Sequence, residues 1–178
     1  MAGAFPLYAC LRAASHESLA GTMTFGYDDA FEVLNGTLSW LSPSAAAVSS
    51  NGLSVELPAA GSYYRPPEPH IPLLDFPYYK KEKYDGVIAA SSPDLSLDFD
   101  AEFTWSRENV VRSVSPSSHL AFNLNLGTGL FSGHAIDPIT RRLYSFRGVI
   151  TPDFNEGYGM LIRNGAVIGT AEVSPNPF

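Results

Sequence analysis

Cysteine is almost missing from this sequence. Cys10 stands alone, so no disulfide can close within the chain and cysteine usage leaves the redox compartment open. Nothing nearby in sequence would activate its thiol, and Cys10 is expected to be a small buried hydrophobe. Charge is scarce too. Asp, Glu, Lys and Arg make up 16% of the residues, and the 11 basic ones are outnumbered by 18 acidic ones, for a formal net charge of -7. An acidic surface repels phosphate backbones and anionic headgroups, which argues against nucleic acid as a partner. No apolar run approaches the length of a membrane span, so membrane insertion is not expected. The mildly apolar start, Met1 to Leu11, has no basic residue ahead of it, is interrupted by Pro6 and leads to no small-residue cleavage site. It does not read as a signal peptide.

Catalytic signatures are missing as well. There is no Gly-x-Ser-x-Gly elbow, no phosphate-binding glycine loop and no Cys-x-x-Cys pair. His16, His70, His119 and His134 are too far apart in sequence for a zinc motif. His119 and His134 are instead expected to face each other across a hairpin centred between residues 126 and 127. The chain is read as non-enzymatic.

What is present is turn chemistry and alternation. Among 178 residues there are 15 Gly and 14 Pro, spread along the chain as many short strands would require. From Leu95 to Ser106, Leu95, Leu97, Phe99, Ala101, Phe103 and Trp105 fall on one face. Ser96, Asp98, Asp100, Glu102 and Thr104 fall on the other, which is the pattern of a half-buried strand. Leu120, Phe122, Leu124 and Leu126 alternate in the same way and are expected in the core. Gly127-Thr128-Gly129, Asp137-Pro138 and Asn164-Gly165 then punctuate strands at 130–136, 143–150, 158–163 and 166–173, a five-strand meander. Strands are also expected at 19–25 and 31–41. They share a run, Gly21-Thr22-Met23-Thr24-Phe25 and Gly36-Thr37-Leu38-Ser39-Trp40, that chance or a common need for strand formers after glycine would explain. Residues 61–84 concentrate proline and tyrosine, so a long crossing loop is expected there. Pro43 to Ser49 is a weak helical candidate, too short to stand alone. The fold class is all-β: a single domain over 1–178, forming an antiparallel β-barrel or strongly curved sheet of about eight to eleven strands, built of meandering hairpins.

Two clusters could carry chemistry. Asp98, Asp100 and Glu102 share the wet face of one strand, about 7 Å apart in succession. That spacing suits a calcium site, or the carboxylate pair of an inverting glycosidase. It also suits a solvated face relieved by Arg107 or Arg112. Tyr63, Tyr64, Tyr78 and Tyr79 could form a sugar-stacking platform, or could plug one end of a barrel. Asn35-Gly36-Thr37 matches the glycosylation acceptor but lies inside an expected strand and carries no argument.

A resemblance runs through the glycine and aromatic motifs. Phe5-Pro6-Leu7-Tyr8-Ala9, the two Gly-Thr runs, Gly61-Ser62-Tyr63-Tyr64-Arg65-Pro66-Pro67, Thr128-Gly129-Leu130-Phe131-Ser132-Gly133, Phe146-Arg147-Gly148-Val149 and Gly157-Tyr158-Gly159-Met160 follow one another along the chain. Together they resemble a β-rich domain near the C-termini of large secreted proteins of environmental bacteria. The resemblance implies an extracellular or cell-surface module within a larger chain. It implies a structural or adhesive role toward protein or carbohydrate surfaces, and it offers no catalytic residues. That family has further strands ahead of the Pro-Leu-Tyr motif, so this chain is expected to be a partial version of a longer domain. The edge near Pro6 and Tyr8 is then expected to recruit another chain. The function expected is a non-enzymatic structural or binding module. The alternatives are a small-ligand or carbohydrate-binding barrel, or a glycoside-active enzyme using Asp98, Asp100 and Glu102.

Overall fold

The computed structural model describes residues 3–12, 17–28, 31–42, 53–76, 83–92, 97–114 and 118–176. The chain is all-β. Its strands are β1 (Ala4–Arg12), β2 (Glu17–Asp28), β3 (Phe31–Ser42), β4 (Leu53–Ser62), β5 (Lys83–Ser92), β6 (Leu97–Ser106), β7 (Val111–Ser113), β8 (Ala121–Asn125), β9 (Leu130–Ile136), β10 (Leu143–Thr151), β11 (Glu156–Arg163) and β12 (Ala166–Pro175). A single 3-10 turn at Pro152–Phe154 is the only helical element among the described residues. The helical candidate Pro43 to Ser49 lies outside them, as do Tyr78, Tyr79, Leu95 and His16. Where one sheet of eight to eleven strands was expected, there are two: β1-β2-β3-β4, and β7-β6-β5-β12-β11-β10-β9-β8. They belong to two compact units, residues 1–63 and 64–178.

In the first unit the repeated Gly-Thr runs turn out to be partners. Thr22 pairs with Thr37, Gly21 with Leu38 and Gly36 with Met23. Each glycine therefore faces the large apolar residue of the other run. A Cβ on Gly21 would lie 2.1 Å from Thr37 O, and one on Gly36 would lie 2.4 Å from Thr22 O and 2.5 Å from Met23 Sδ. The repeat is the self-complementary centre of one hairpin. Phe5, Leu7 and Ala9 share a face of β1, which turns Pro6, Tyr8 and Cys10 to the other. Cys10, expected to be buried, is exposed for this reason.

The two outer strands of this sheet each carry a proline on the same cross-strand row, Pro6–Thr22–Thr37–Pro58. The Phe25 N–H donates to Gly3 O, so the odd-numbered residues of β2 bond toward β1 and the even-numbered ones toward β3. Thr22 and Thr37 then bond to each other, which turns the nitrogens of Pro6 and Pro58 to the open edges. Both edges lack a donor at their centre.

The second unit is an eight-stranded, nearly closed barrel, with β7 lying against β8 at the seam. Its inward face follows from alternation: β6 runs buried-exposed as its sequence requires. Phe99, Phe103, Trp105, Phe131, Tyr144, Phe146, Ile150, Leu161 and Val173 fill the interior. Phe122 meets Phe103 and Trp105 across the seam, with ring centres 6.0 and 6.1 Å apart. Three inward glycines lie opposite rings: Gly86 with Phe103, Gly133 with Phe146, Gly148 with Phe131. In each case a Cβ would meet the ring at 2.3 to 2.5 Å, so the bare backbone is the space the ring occupies. The meander β8 to β12 is as expected, and Asn164 and Gly165 take positive φ at its last turn, 52° and 78°.

Two expectations are corrected at the β8–β9 turn. Leu126 is not core; β8 ends at Asn125, and Leu126 is 36% exposed in the turn. His119 does not face His134, because the register pairs His134 with Ala121 while His119 sits before β8 at φ 42°. The proline-rich segment enters the barrel core. Leu73, Leu74 and Phe76 join the core cluster. Asn109 Oδ1 accepts from the Leu73 N–H (2.7 Å) and from Trp105 Nε1 (2.9 Å), and its Nδ2 donates to Ile71 O (3.0 Å). Asn155 brackets the same segment, accepting from Asp75 N at 2.7 Å and donating to Asp75 O at 2.8 Å.

Candidate functional site

On β9, β10 and β11 the alternation breaks in one respect. Leu130-Phe131, Val149-Ile150 and Met160-Leu161 are adjacent apolar pairs, so each strand gives one apolar residue to each face. The inward members are buried. The outward ones are not: Leu130 is 55%, Val149 40%, Tyr158 48% and Met160 49% exposed. Leu130, Val149 and Tyr158 stand in one cross-strand row, which begins at Asn125. The next row is Asn123, Ser132, Arg147 and Met160. Between them lies a groove of about 700 Å³ on the outer face of the barrel, with Phe131, Gly148 and Gly159 in its floor. Gly148 pairs with Gly159, and the two bare positions expose the backbone there. The groove is therefore an apolar row beside a polar row. Its volume is in the range of small-molecule sites.

The electrostatics are lopsided. Arg147 is the one charged side chain lining the groove, and among the described residues it makes no ion pair. Beyond Tyr158 the row continues through Glu172 and Ala89 to Asp100, so the sheet turns acidic. The Tyr158 hydroxyl donates to Glu156. That hydrogen bond, then burial, then the charges of Glu156 and Glu172, push its pKa up to about 12. The stabilisation this implies is full below the ordinary value of 10 and is lost as pH rises toward 12. Glu156→Gln is expected to bring the Tyr158 midpoint down toward 10, read from the Tyr158 ring signals in an alkaline NMR titration. An unchanged midpoint would refute the assignment.

The sequence-predicted residues sit elsewhere. Asp98, Asp100 and Glu102 lie on the exposed face of β6. Burial, then the charge of Asp98, raises the Asp100 pKa; burial, then Glu102, raises that of Asp85. Raised carboxylate values mean that the folded state gains stability as pH falls through them. Among the described residues no group of three or more His, Cys, Asp or Glu side chains is disposed to hold a metal ion. Arg112 stands opposite Thr104, diagonal to Glu102. Asp98 also lines a crevice of about 170 Å³ with Asp137, Thr140 and Arg142. There the Asp137 carboxylate is occupied by the Ile139 N–H (2.8 Å) and the Thr140 hydroxyl. Of the tyrosines, Tyr63 is 59% exposed. The Tyr64 hydroxyl donates to Leu126 O at 2.6 Å, and its ring lies over Gly129, whose Cβ it would meet at 2.6 Å. Tyr64 thus braces the β8–β9 turn. The structure does not gather the carboxylates or these tyrosines into the groove.

Sequence reasoning missed Leu130, Arg147, Val149 and Met160. The adjacent apolar pairs were the available signal. All four belong to the glycine and aromatic motifs at 128–133, 146–149 and 157–160, and these three converge on this groove. No family model, curated protein or solved structure is significantly similar to the chain. Among the described residues no helix is long and apolar enough to cross a membrane.

Proposed function

We propose that the chain is a non-enzymatic binding module of the extracellular, surface-displayed kind, and that it recognises its ligand with the outer face of β8 to β11. The supporting observation is where the space lies. The described interior of the barrel is packed with aromatic and aliphatic side chains, which is scaffold chemistry. The groove outside is apolar and half exposed, and soluble domains keep such patches for contacts. The carbohydrate reading moves with the site, from Tyr63 and Tyr64 to Tyr158, whose half-exposed ring lines the same groove as Arg147.

The test is affinity electrophoresis of the full chain through a panel of soluble polysaccharides, together with NMR titration of small amphiphiles. Ligands that shift the amides of Leu130, Arg147, Val149 and Met160, and that the Leu130→Ser/Tyr158→Ala variant no longer binds, support the module. A panel that leaves those amides still overturns it. Surface display is tested by fractionating the source cells; finding the chain only in the soluble interior would overturn that part.

Self-association through a β edge is proposed to turn on the two prolines. With no donor at the centre of either edge of the first unit, strand addition there is disfavoured. Pro6→Val/Pro58→Val restores both donors and is expected to raise the sedimentation coefficient at micromolar concentration relative to the parent chain. Equal sedimentation of the two would sink this reading.

A further inference from the structure

We infer that the groove takes an amphipathic anion: one carboxylate-like group on Arg147, with an apolar body lying across β9, β10 and β11. This rests on the binding-module reading above and names its ligand class. Three features of the site point to it. The exposed contacts are mainly aliphatic, Leu130, Val149 and Met160 against one ring, Tyr158. Aliphatic side chains offer an acyl or aryl body apolar area, whereas a pyranose needs flat ring faces. The charge is single and of the rarer sign. Arg147 lines the groove of a protein with net charge -7, and a planar guanidinium accepts a carboxylate in two-pronged fashion. The acidic surroundings limit the ligand to one such group. Glu156 and Glu172 stand beside Tyr158, and Asp100 lies further along the same row. A polyanion extended toward β12 would be repelled there.

The two rows also set the ligand's orientation. Arg147 lies in the polar row between Ser132 and Met160, and Val149 is the next outward residue on its own strand. Neighbouring strands are about 4.8 Å apart, so β9 to β11 spans about 10 Å. A chain of roughly ten carbons covers that distance at ordinary extension. With its head at Arg147 in the middle strand, its body lies along the neighbouring outward row of Leu130, Val149 and Tyr158, which crosses all three strands. Asn125 contributes less than its position suggests, because its Oδ1 accepts from the Gly127 N–H at 2.9 Å and holds the turn.

The experiment is NMR titration of the full ¹⁵N-labelled chain with decanoate, decanol, decyltrimethylammonium and cellotriose, each below any micellar concentration. Decanoate is expected to shift the amides of Leu130, Ser132, Arg147, Val149 and Met160. Decanol should bind there roughly tenfold more weakly, the worth of one charge-assisted hydrogen bond, and the ammonium should not bind. Arg147→Gln, at an exposed position that does not support the core, should bring decanoate down to the level of decanol and leave decanol unchanged. The inference is overturned if decanoate binds no tighter than decanol, or if Arg147→Gln leaves decanoate affinity intact. Cellotriose shifting the groove amides where decanoate does not would overturn the ligand class while the binding module stands. Failure of every probe at the groove would remove both.

Discussion

Asn109→Ala is expected to destabilise the barrel by about 4 kcal/mol, as the sum of one or two orphaned buried groups and a strained backbone. Asn109 is buried, sits at φ 60°, and satisfies three partners at once: Trp105 Nε1, Leu73 N–H and Ile71 O. Trp105 is fully buried, so its indole N–H has no route to water when the amide is removed. Alanine also tolerates the left-handed region poorly, at a cost of about 1 to 2 kcal/mol. Asn109→Gly separates the two effects. It relieves the backbone but not the lost hydrogen bonds, and should recover about 1 kcal/mol of the deficit. Denaturant unfolding followed by the Trp105 indole signal measures both variants. A loss below 1 kcal/mol for Asn109→Ala would mean that the segment carrying Leu73, Leu74 and Phe76 is held by packing alone.

Gly133→Ala should cost about 3 kcal/mol or more, and shrinking its ring neighbour should not rescue it. The added Cβ would stand 2.1 Å from Ala121 O, a backbone atom of the paired strand, as well as 2.5 Å from the Phe146 ring. Backbone in a ladder cannot give way without breaking β8–β9 pairing. Gly86→Ala makes the contrast. Its nearest obstacles are the rings of Phe103 at 2.3 Å and Phe76 at 2.6 Å. Phe103→Leu in the Gly86→Ala background should therefore recover part of the loss, read as a favourable coupling in a double-mutant cycle. Equal rescue of both glycine variants by ring truncation would refute the distinction between backbone and side-chain obstruction.

The same distinction says what the glycine and aromatic motifs are for. Two of the barrel motifs put a glycine inward opposite a ring, Gly133 against Phe146 and Gly148 against Phe131, and that pairing lets the sheet curve tightly enough to approach closure. The outward residues of the barrel motifs, Leu130, Arg147, Val149, Tyr158 and Met160, are free of that duty. Their apolar character on an outer face is what singles out the groove.

The sequence by itself determined the local structure. Strict alternation placed Leu97, Phe99, Ala101, Phe103 and Trp105 on the buried face of β6, because a two-residue period leaves no other assignment once one face is dry. Asn164-Gly165 marked its turn because those residues tolerate positive φ. Tertiary structure decided everything that depends on which strands meet. That β12 closes against β5 while β1 to β4 form a sheet of their own follows from long-range register, which no local pattern encodes. Leu126 fell outside the core because the turn begins one residue earlier than alternation implied. Nothing in the local sequence singles out Asn109 and Asn155; the fold brings Leu73 and Asp75 to them. The carboxylates of β6 looked like a site because spacing along one strand is visible in sequence. The groove was not visible, because its rows run perpendicular to the chain, through residues of β8, β9, β10 and β11 that only the register makes neighbours.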